Sequence, residues 1–135
     1  MEEMKKDDVR ILVVDDDLSI LNGILFGLEE FGYSQFERSY NGVQAVGKIE
    51  EYKPNLVFLD TEMPIMDGVD AYKNIKQDDT RIVIIGMSSS SRYKEIWDQI
   101  GADSFFPKRD LYLKPESLEQ TIQSAFQKRG IILVD

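Results

Sequence analysis

The strongest constraint on the fold is an alternation along the chain. Short apolar runs of strand length are separated by segments whose apolar residues recur every three or four positions. Residues 9–14 (VRILVV) end in Asp15-Asp16-Asp17 and read as a buried strand. Ile20, Leu21, Ile24, Leu25, Leu28 and Phe31 then mark a helix face, with Asp17 or Ser19 to cap its start and Gly32 to end it. Gly23 and Gly27 lie inside that helix and weaken it. Gln35–Ser39 is a polar strand suited to a sheet edge, Asn41-Gly42 is a turn, and Ala45, Val46 and Ile49 mark a second helix. Residues 55–59 (NLVFL) predict a third strand ending at Asp60, followed by a loop over 61–68 and a short helix carrying Ala71, Tyr72 and Ile75. Residues 82–87, almost wholly apolar, predict a central fourth strand, then a serine run from Ser88 to Ser91. Tyr93, Ile96, Trp97 and Ile100 mark a fourth helix that Gly101 stops. Ser104–Pro107 is a short fifth strand, residues 109–114 are irregular, and Pro115 opens a last helix with Leu118, Ile122 and Phe126 on one face.

Five strand–helix units of this kind imply an α/β doubly wound fold, a parallel five-stranded sheet with helices on both faces. No composition shift marks a boundary, so residues 1–135 read as a single domain with its core over about 9–129. Ile131–Val134 is an apolar tail outside the alternation, and a linker stub, an added edge strand and a dimer contact all suit it.

Composition removes whole classes of chemistry. There is no His and no Cys. Imidazole bases, imidazole metal ligands, thiol nucleophiles and disulfides are therefore excluded, and with them every Ser-His or Cys-His hydrolase mechanism. Sixteen basic against 25 acidic residues leave a net charge of −9. Direct nucleic-acid binding is not expected, because phosphate contacts need basic side chains. Residues 1–6 carry mixed charges and no apolar core, so they are no signal peptide. No apolar run approaches ~20 residues, so no membrane insertion is expected. A cytoplasmic protein follows as the expectation.

In open α/β sheets the site lies beyond the carboxyl ends of the strands. Asp15 and Asp16 follow the first strand, Asp60 the third, Ser88 the fourth and Lys108 the fifth. Any one of these alone is an ordinary cap or solvated charge. Together they place three carboxylates, a hydroxyl and an amine on one sheet edge. Crowded carboxylates repel unless a cation intervenes, and an all-oxygen site suits Mg²⁺, with Mn²⁺ of the same chemistry. A nearby Lys suits a phosphate oxygen, and a carboxylate can itself be a nucleophile that forms an acyl phosphate.

These segments resemble the receiver domain of two-component response regulators. The resemblance is carried by ILVVDDD (11–17), Asn41 to Val46 (NGVQAV), LVFLDTEMPIMDG (56–68), VIIGMSS (83–89) and IGADSFFPK (100–108), and it spans about 9–129. Asp16 and Asp60 stand 44 residues apart, as in that family. The resemblance implies a flavodoxin-like (βα)5 sheet of order 2-1-3-4-5. It implies that Asp60 is the phosphoacceptor, Asp16 a direct Mg²⁺ ligand, Asp15 a ligand acting largely through water, and Glu62 the position whose backbone carbonyl binds the metal. Ser88 matches the hydroxyl that contacts the phosphoryl group, Lys108 the active-site lysine, and Phe105 the aromatic switch. The implied partner is a sensor histidine kinase or phosphotransfer protein that presents a phosphohistidine. The face formed by the fourth helix, fifth strand and last helix often serves output or homodimerisation in this family.

The match has departures. Arg109 stands where the family commonly has Pro, while Lys114-Pro115 also resembles its lysine–proline segment; counting from Gly101-Ala102-Asp103 favours Lys108. Phe105 lacks the hydroxyl of the more common Tyr. Glu62 suits either a role toward the hydrolytic water or a solvated loop. Tyr93 and Trp97, four apart on the fourth helix, suit core packing, which Ile96 and Ile100 explain better, or a partner surface. Three competing readings fare worse. A phosphatase of the haloacid dehalogenase type needs its Asp-x-Asp after the first strand, a flavin binder needs a phosphate loop that three Asp would repel, and a non-phosphorylated pseudo-receiver sits poorly with a full set of site positions.

Overall fold

A computed structural model describes residues 1–135, the side chain of Asp78 excepted. The chain runs β1 (Glu2–Lys5), β2 (Arg10–Val14), α1 (Leu18–Glu30), β3 (Gln35–Ser39), α2 (Gly42–Tyr52), β4 (Leu56–Asp60) and α3 (Gly68–Asp78). It continues through β5 (Val83–Ser88), α4 (Lys94–Ile100), β6 (Ser104–Pro107), α5 (Asp110–Leu113), α6 (Ser117–Gln127) and β7 (Ile131–Val134). The main sheet is parallel throughout and ordered β3-β2-β4-β5-β6, which is 2-1-3-4-5 when only its own five strands are numbered.

Alternate residues of the strands feed two cores, one on each face. Ile11, Val13, Phe58, Ile85, Met87 and Phe106 pack against Leu21, Ile24 and Leu28 of α1 and Leu118, Ile122 and Phe126 of α6. Leu12, Val14, Val57, Leu59, Ile84 and Phe105 pack against Ala45 of α2, Ala71, Tyr72 and Ile75 of α3 and Trp97 of α4. Each Leu, Ile or Phe taken fully out of water there contributes on the order of 1.5–3 kcal/mol. The glycines inside α1 serve close packing: a Cβ at Gly23 would lie 2.6 Å from Leu111 Cδ2, and one at Gly27 2.7 Å from Leu118 Cδ2. Asp17, not Ser19, caps α1, its Oδ1 accepting from Ser19 N at 2.9 Å and Ile20 N at 3.4 Å.

One expectation needs correction and another is narrowed. Residues 109–114 are not wholly irregular, because Asp110–Leu113 forms one helical turn. Of the readings open for the tail Ile131–Val134, the added strand is the one the structure bears out, though it lies outside the main sheet. It pairs in parallel with the N-terminal strand β1, Glu2 opposite Ile131 through Lys5 opposite Val134, in a separate two-stranded sheet. Leu133 is buried, and Gln123 Nε2 of α6 donates to its carbonyl at 3.4 Å. Lys6 closes the arrangement, donating to Phe31 O at 2.9 Å and sitting against Glu119 and Asp135. Glu119 also accepts from the Tyr33 hydroxyl at 2.6 Å. The pair is built from tertiary contacts, which a local pattern such as EEMK does not announce.

Candidate active site

The parallel register brings the carboxyl ends of the strands into one row. Val14 lies opposite Leu59, Asp60 opposite Met87 and Ser88 opposite Pro107. The residues that follow or end these strands therefore converge. Asp15 is fully buried, its Oδ1 accepting from Asp17 N at 2.9 Å. Its Oδ2 faces Lys108 Nζ at 2.6 Å and has no hydrogen-bond partner otherwise. Asp60 is 3% exposed, with Oδ1 2.8 Å from the same Lys108 Nζ. Asp16 is exposed, and one oxygen each from Asp15, Asp16 and Asp60 lie within 4.8 Å of one another. Asp16, Asp60, Glu62, Ser88 and Lys108 line an open cavity of about 250 Å³. A larger hollow of about 510 Å³ lies near the starts of β4 and β5, away from these carboxylates.

Backbone contacts hold this arrangement. Lys108 N donates to Ser88 O at 2.9 Å, tying the ends of β5 and β6. Ser88 is 5% exposed and its Oγ accepts from Ser90 N at 3.0 Å. Gly68 packs directly on the acceptor strand, its N–H donating to Thr61 O at 2.9 Å, while Asp67 caps α3 through Asp70 N at 2.9 Å. Of the two candidate lysines, Lys108 is 8% exposed on the carboxylates and Lys114 is exposed to solvent.

Burial is the main force on Asp60. It penalises the charged carboxylate, Asp15 and Asp16 add repulsion, and Lys108 opposes both, leaving the carboxyl at about 7. Burial also works against the charge of Lys108, but Asp15 and Asp60 outweigh it and hold its pKa above the ordinary lysine value. The donor set is hard oxygen, carries excess negative charge and includes a buried carboxylate oxygen with a single cationic neighbour, so it fits a hard divalent cation.

Other residues depart from the expected pattern. Trp97 is completely buried, so it is core and no partner surface, whereas Ile96 is 40% exposed; the helix turns the faces opposite to the expectation. Tyr93 is half-buried against the Trp97 cluster. Phe105 is 7% exposed in that cluster. Thr61 carries no motif signal that would have drawn notice. Its hydroxyl nonetheless donates to Met87 O at 2.6 Å and accepts from Trp97 Nε1 at 2.8 Å.

The loop after Asp60 stores strain. Ile65 has φ 72° and is 83% exposed, and Met66 N donates to Pro64 O at 2.8 Å across it. That is a γ-turn of positive φ, a strained form, centred on a β-branched residue. Ile65→Gly relieves about 1–2 kcal/mol of strain against about 0.5–1 kcal/mol of added backbone entropy, so a net stabilisation of about 0.5–1 kcal/mol is expected, read as a rise in melting temperature. An unchanged or lower melting temperature would show that the strain is no larger than the entropy glycine adds to the unfolded chain.

Residues 11–123 match the response regulator receiver domain family. The chain belongs to that family. This receiver is 35% identical to the chemotaxis protein CheY of Bacillus subtilis over 115 residues, 85% of this chain and 92% of that one. It is 33% identical over 101 residues to the alkaline phosphatase synthesis transcriptional regulatory protein PhoP of the same organism, 73% of this chain but 42% of that one. It thus spans less than half the length of PhoP. Among solved structures, the chemotaxis response regulator CheY4 of Vibrio cholerae superposes with a TM-score of 0.74 at 25% identity, covering 87% of this chain and 98% of that one. The CheX–CheY–BeF3–Mg²⁺ complex of Borrelia burgdorferi has the same fold, with a TM-score of 0.77 at 24% identity over 87% of this chain and 89% of that one. The chain is thus the receiver domain of a two-component response regulator, a signalling module rather than a classical enzyme. Among the described residues, no helix is long and apolar enough to cross a membrane.

Proposed function

We propose that Asp60 takes a phosphoryl group from the phosphohistidine of a sensor histidine kinase or phosphotransfer protein. The observation that carries this reading is the position of the Asp60 carboxylate, open to the cavity and held 2.8 Å from Lys108 Nζ. The imidazole must come from another protein, because this chain has no His. The ionised Asp60 carboxylate attacks phosphorus in line, the P–N bond breaks, and the donor imidazole leaves with its electron pair. Lys108 stabilises the charge that spreads over the phosphoryl oxygens, and the Ser88 hydroxyl contacts the product. Asp15, Asp16, Asp60 and the backbone carbonyl of Glu62 would hold Mg²⁺, with Mn²⁺ as a substitute. Bound there, the cation supplies neutralisation of crowded carboxylate and phosphoryl oxygens. The chain itself supplies the groups for both phosphorylation and its reversal by water.

Residues 1–135 act as one receiver unit in this reading, on the cytoplasmic side. Output passes through the face of α4, β6 and α6, by protein contact or homodimerisation, with Phe105 as part of the switch.

Incubation with Mg²⁺ and acetyl phosphate tests the proposal. One acid-stable, base-labile phosphoryl group per chain is expected, absent from Asp60→Ala. Lys108→Ala should label about 100-fold more slowly, while Lys114→Ala labels normally. An adduct that survives Asp60→Ala would refute the assignment of the acceptor, and loss of labelling in Lys114→Ala alone would refute that of the lysine.

A further inference from the structure

We propose that Thr61 and Trp97 are positioning residues that carry the state of Asp60 to helix α4; the inference rests on the receiver reading above. Three groups form one buried hydrogen-bond chain. Trp97 Nε1 donates to Thr61 Oγ1 at 2.8 Å, and Thr61 Oγ1 donates to Met87 O at 2.6 Å. The Thr61 backbone N–H donates to the same Met87 carbonyl at 3.0 Å. Thr61 is bonded to Asp60, and Met87 is bonded to Ser88. The chain therefore joins the nearest neighbours of the acceptor and of the phosphoryl-contacting hydroxyl to a side chain of α4.

The geometry leaves Trp97 little freedom to ignore a movement at either neighbour. The indole is fully buried, and its ring lies so close to Gly86 that a Cβ there would come within 2.3 Å of it. Its N–H has Thr61 Oγ1 as its partner, and a buried donor without a partner is costly. A shift of the Met87–Ser88 end of β5 toward a phosphoryl group pulls on the Thr61 hydroxyl. Trp97, and α4 with it, must then follow or give up the bond. Hydrogen bonds in series reinforce one another in a dry interior, so the two bonds act together. Phe105 cannot serve this purpose alone. Its ring has no polar atom, and it is already buried at 7% exposure, in register with Gly86 beneath the same indole.

Trp97 is the single tryptophan, so its emission reports the link directly. The probe is beryllium fluoride with Mg²⁺, titrated into wild type, Thr61→Ser and Thr61→Val, with indole emission and melting temperature read in parallel. Wild type and Thr61→Ser should show a saturable change in emission together with a rise in melting temperature. Thr61→Val should keep the rise, and so bind the probe, while its emission change falls by at least about threefold. An emission change in Thr61→Val equal to wild type overturns the link, as does a wild type whose melting temperature rises with no emission change. A wild type with no rise in melting temperature overturns the receiver reading itself. If Thr61→Val fails to fold, Trp97→Phe keeps an aromatic, though smaller, side chain and removes the donor, and hydrogen exchange of the α4 amides replaces fluorescence. Probe-induced protection of α4 should then be lost in Trp97→Phe, and its retention overturns the proposal.

Discussion

Replacement of Gly68 by Ala is expected to abolish labelling of Asp60 and to lower stability by about 3 kcal/mol. A Cβ at Gly68 would lie 1.9 Å from Asp60 O, 2.8 Å from Asp60 C and 3.1 Å from Thr61 Cα. All three are backbone atoms, so no side-chain rotation makes room. Either α3 retreats from the end of β4 or the acceptor strand is displaced, and in both cases Asp60 leaves its place beside Lys108. Overpacking of a side chain against movable neighbours costs roughly 1–3 kcal/mol, and a fixed backbone obstacle belongs at the upper end. For a domain of this size the loss corresponds to a fall in melting temperature of roughly 10 °C. Gly47 is the control. It lies exposed within α2, and a Cβ added there would meet no atom within 4 Å. At that position Ala should stabilise by about 0.5–1 kcal/mol, because it removes the entropic penalty of glycine in a helix. Thermal melts and acetyl phosphate labelling of the three proteins decide the matter. A Gly68→Ala protein that melts and labels like wild type would refute the packing argument.

Asp60→Asn is expected to be more stable than wild type in chelator at pH 8, and equally stable near pH 4. The Asp60 carboxyl sits at about 7 in the fold, against about 3.9 for an unperturbed Asp. Between these values the folded state holds a proton that the unfolded chain gives up. Stability therefore falls as pH rises through that window, and the full penalty is present above it. The neutral amide carries no such penalty at any pH. Part of the gain is offset, since Lys108 loses one carboxylate partner; it keeps Asp15 at 2.6 Å. A net gain of about 1–2 kcal/mol, or roughly 3–6 °C, is expected. Mg²⁺ should reverse the order. A cation at a hundredfold excess over its dissociation constant stabilises wild type by about 2.7 kcal/mol and stabilises less a site that has lost a carboxylate. Paired melts in chelator and in Mg²⁺, across this pH range, check both signs. An Asp60→Asn protein no more stable than wild type at pH 8 in chelator would show that the carboxylates are not in conflict.

What could be read from the sequence is what depends on neighbours along the chain. The runs at 9–14, 55–59 and 82–87 are apolar because both faces of a parallel strand are buried, and that pattern needs no tertiary information. Strand ends are local too, so Asp15, Asp16, Asp60, Ser88 and Lys108 stood out as the residues that follow them. Gly101, at φ 97°, stops α4 for a reason visible in the residue itself. The choice among equivalent residues was not local. Asp15, Asp16 and Asp17 are identical in type, yet one is buried against Lys108, one is open to the cavity and one caps a helix. Lys108 and Lys114 differ only in that the end of β6 points the first at the carboxylates. The pairing of Glu2 with Ile131 closes a separation of 129 residues, and the bond from Trp97 to Thr61 one of 36. Such contacts form because the sheet and its helices, once folded, leave specific atoms facing each other across the interior. Hydrophobic period and residue type thus determined the fold class and the reactive edge. Only the tertiary structure decided which carboxylate is buried, which lysine neutralises it and that the indole is tied to the acceptor strand.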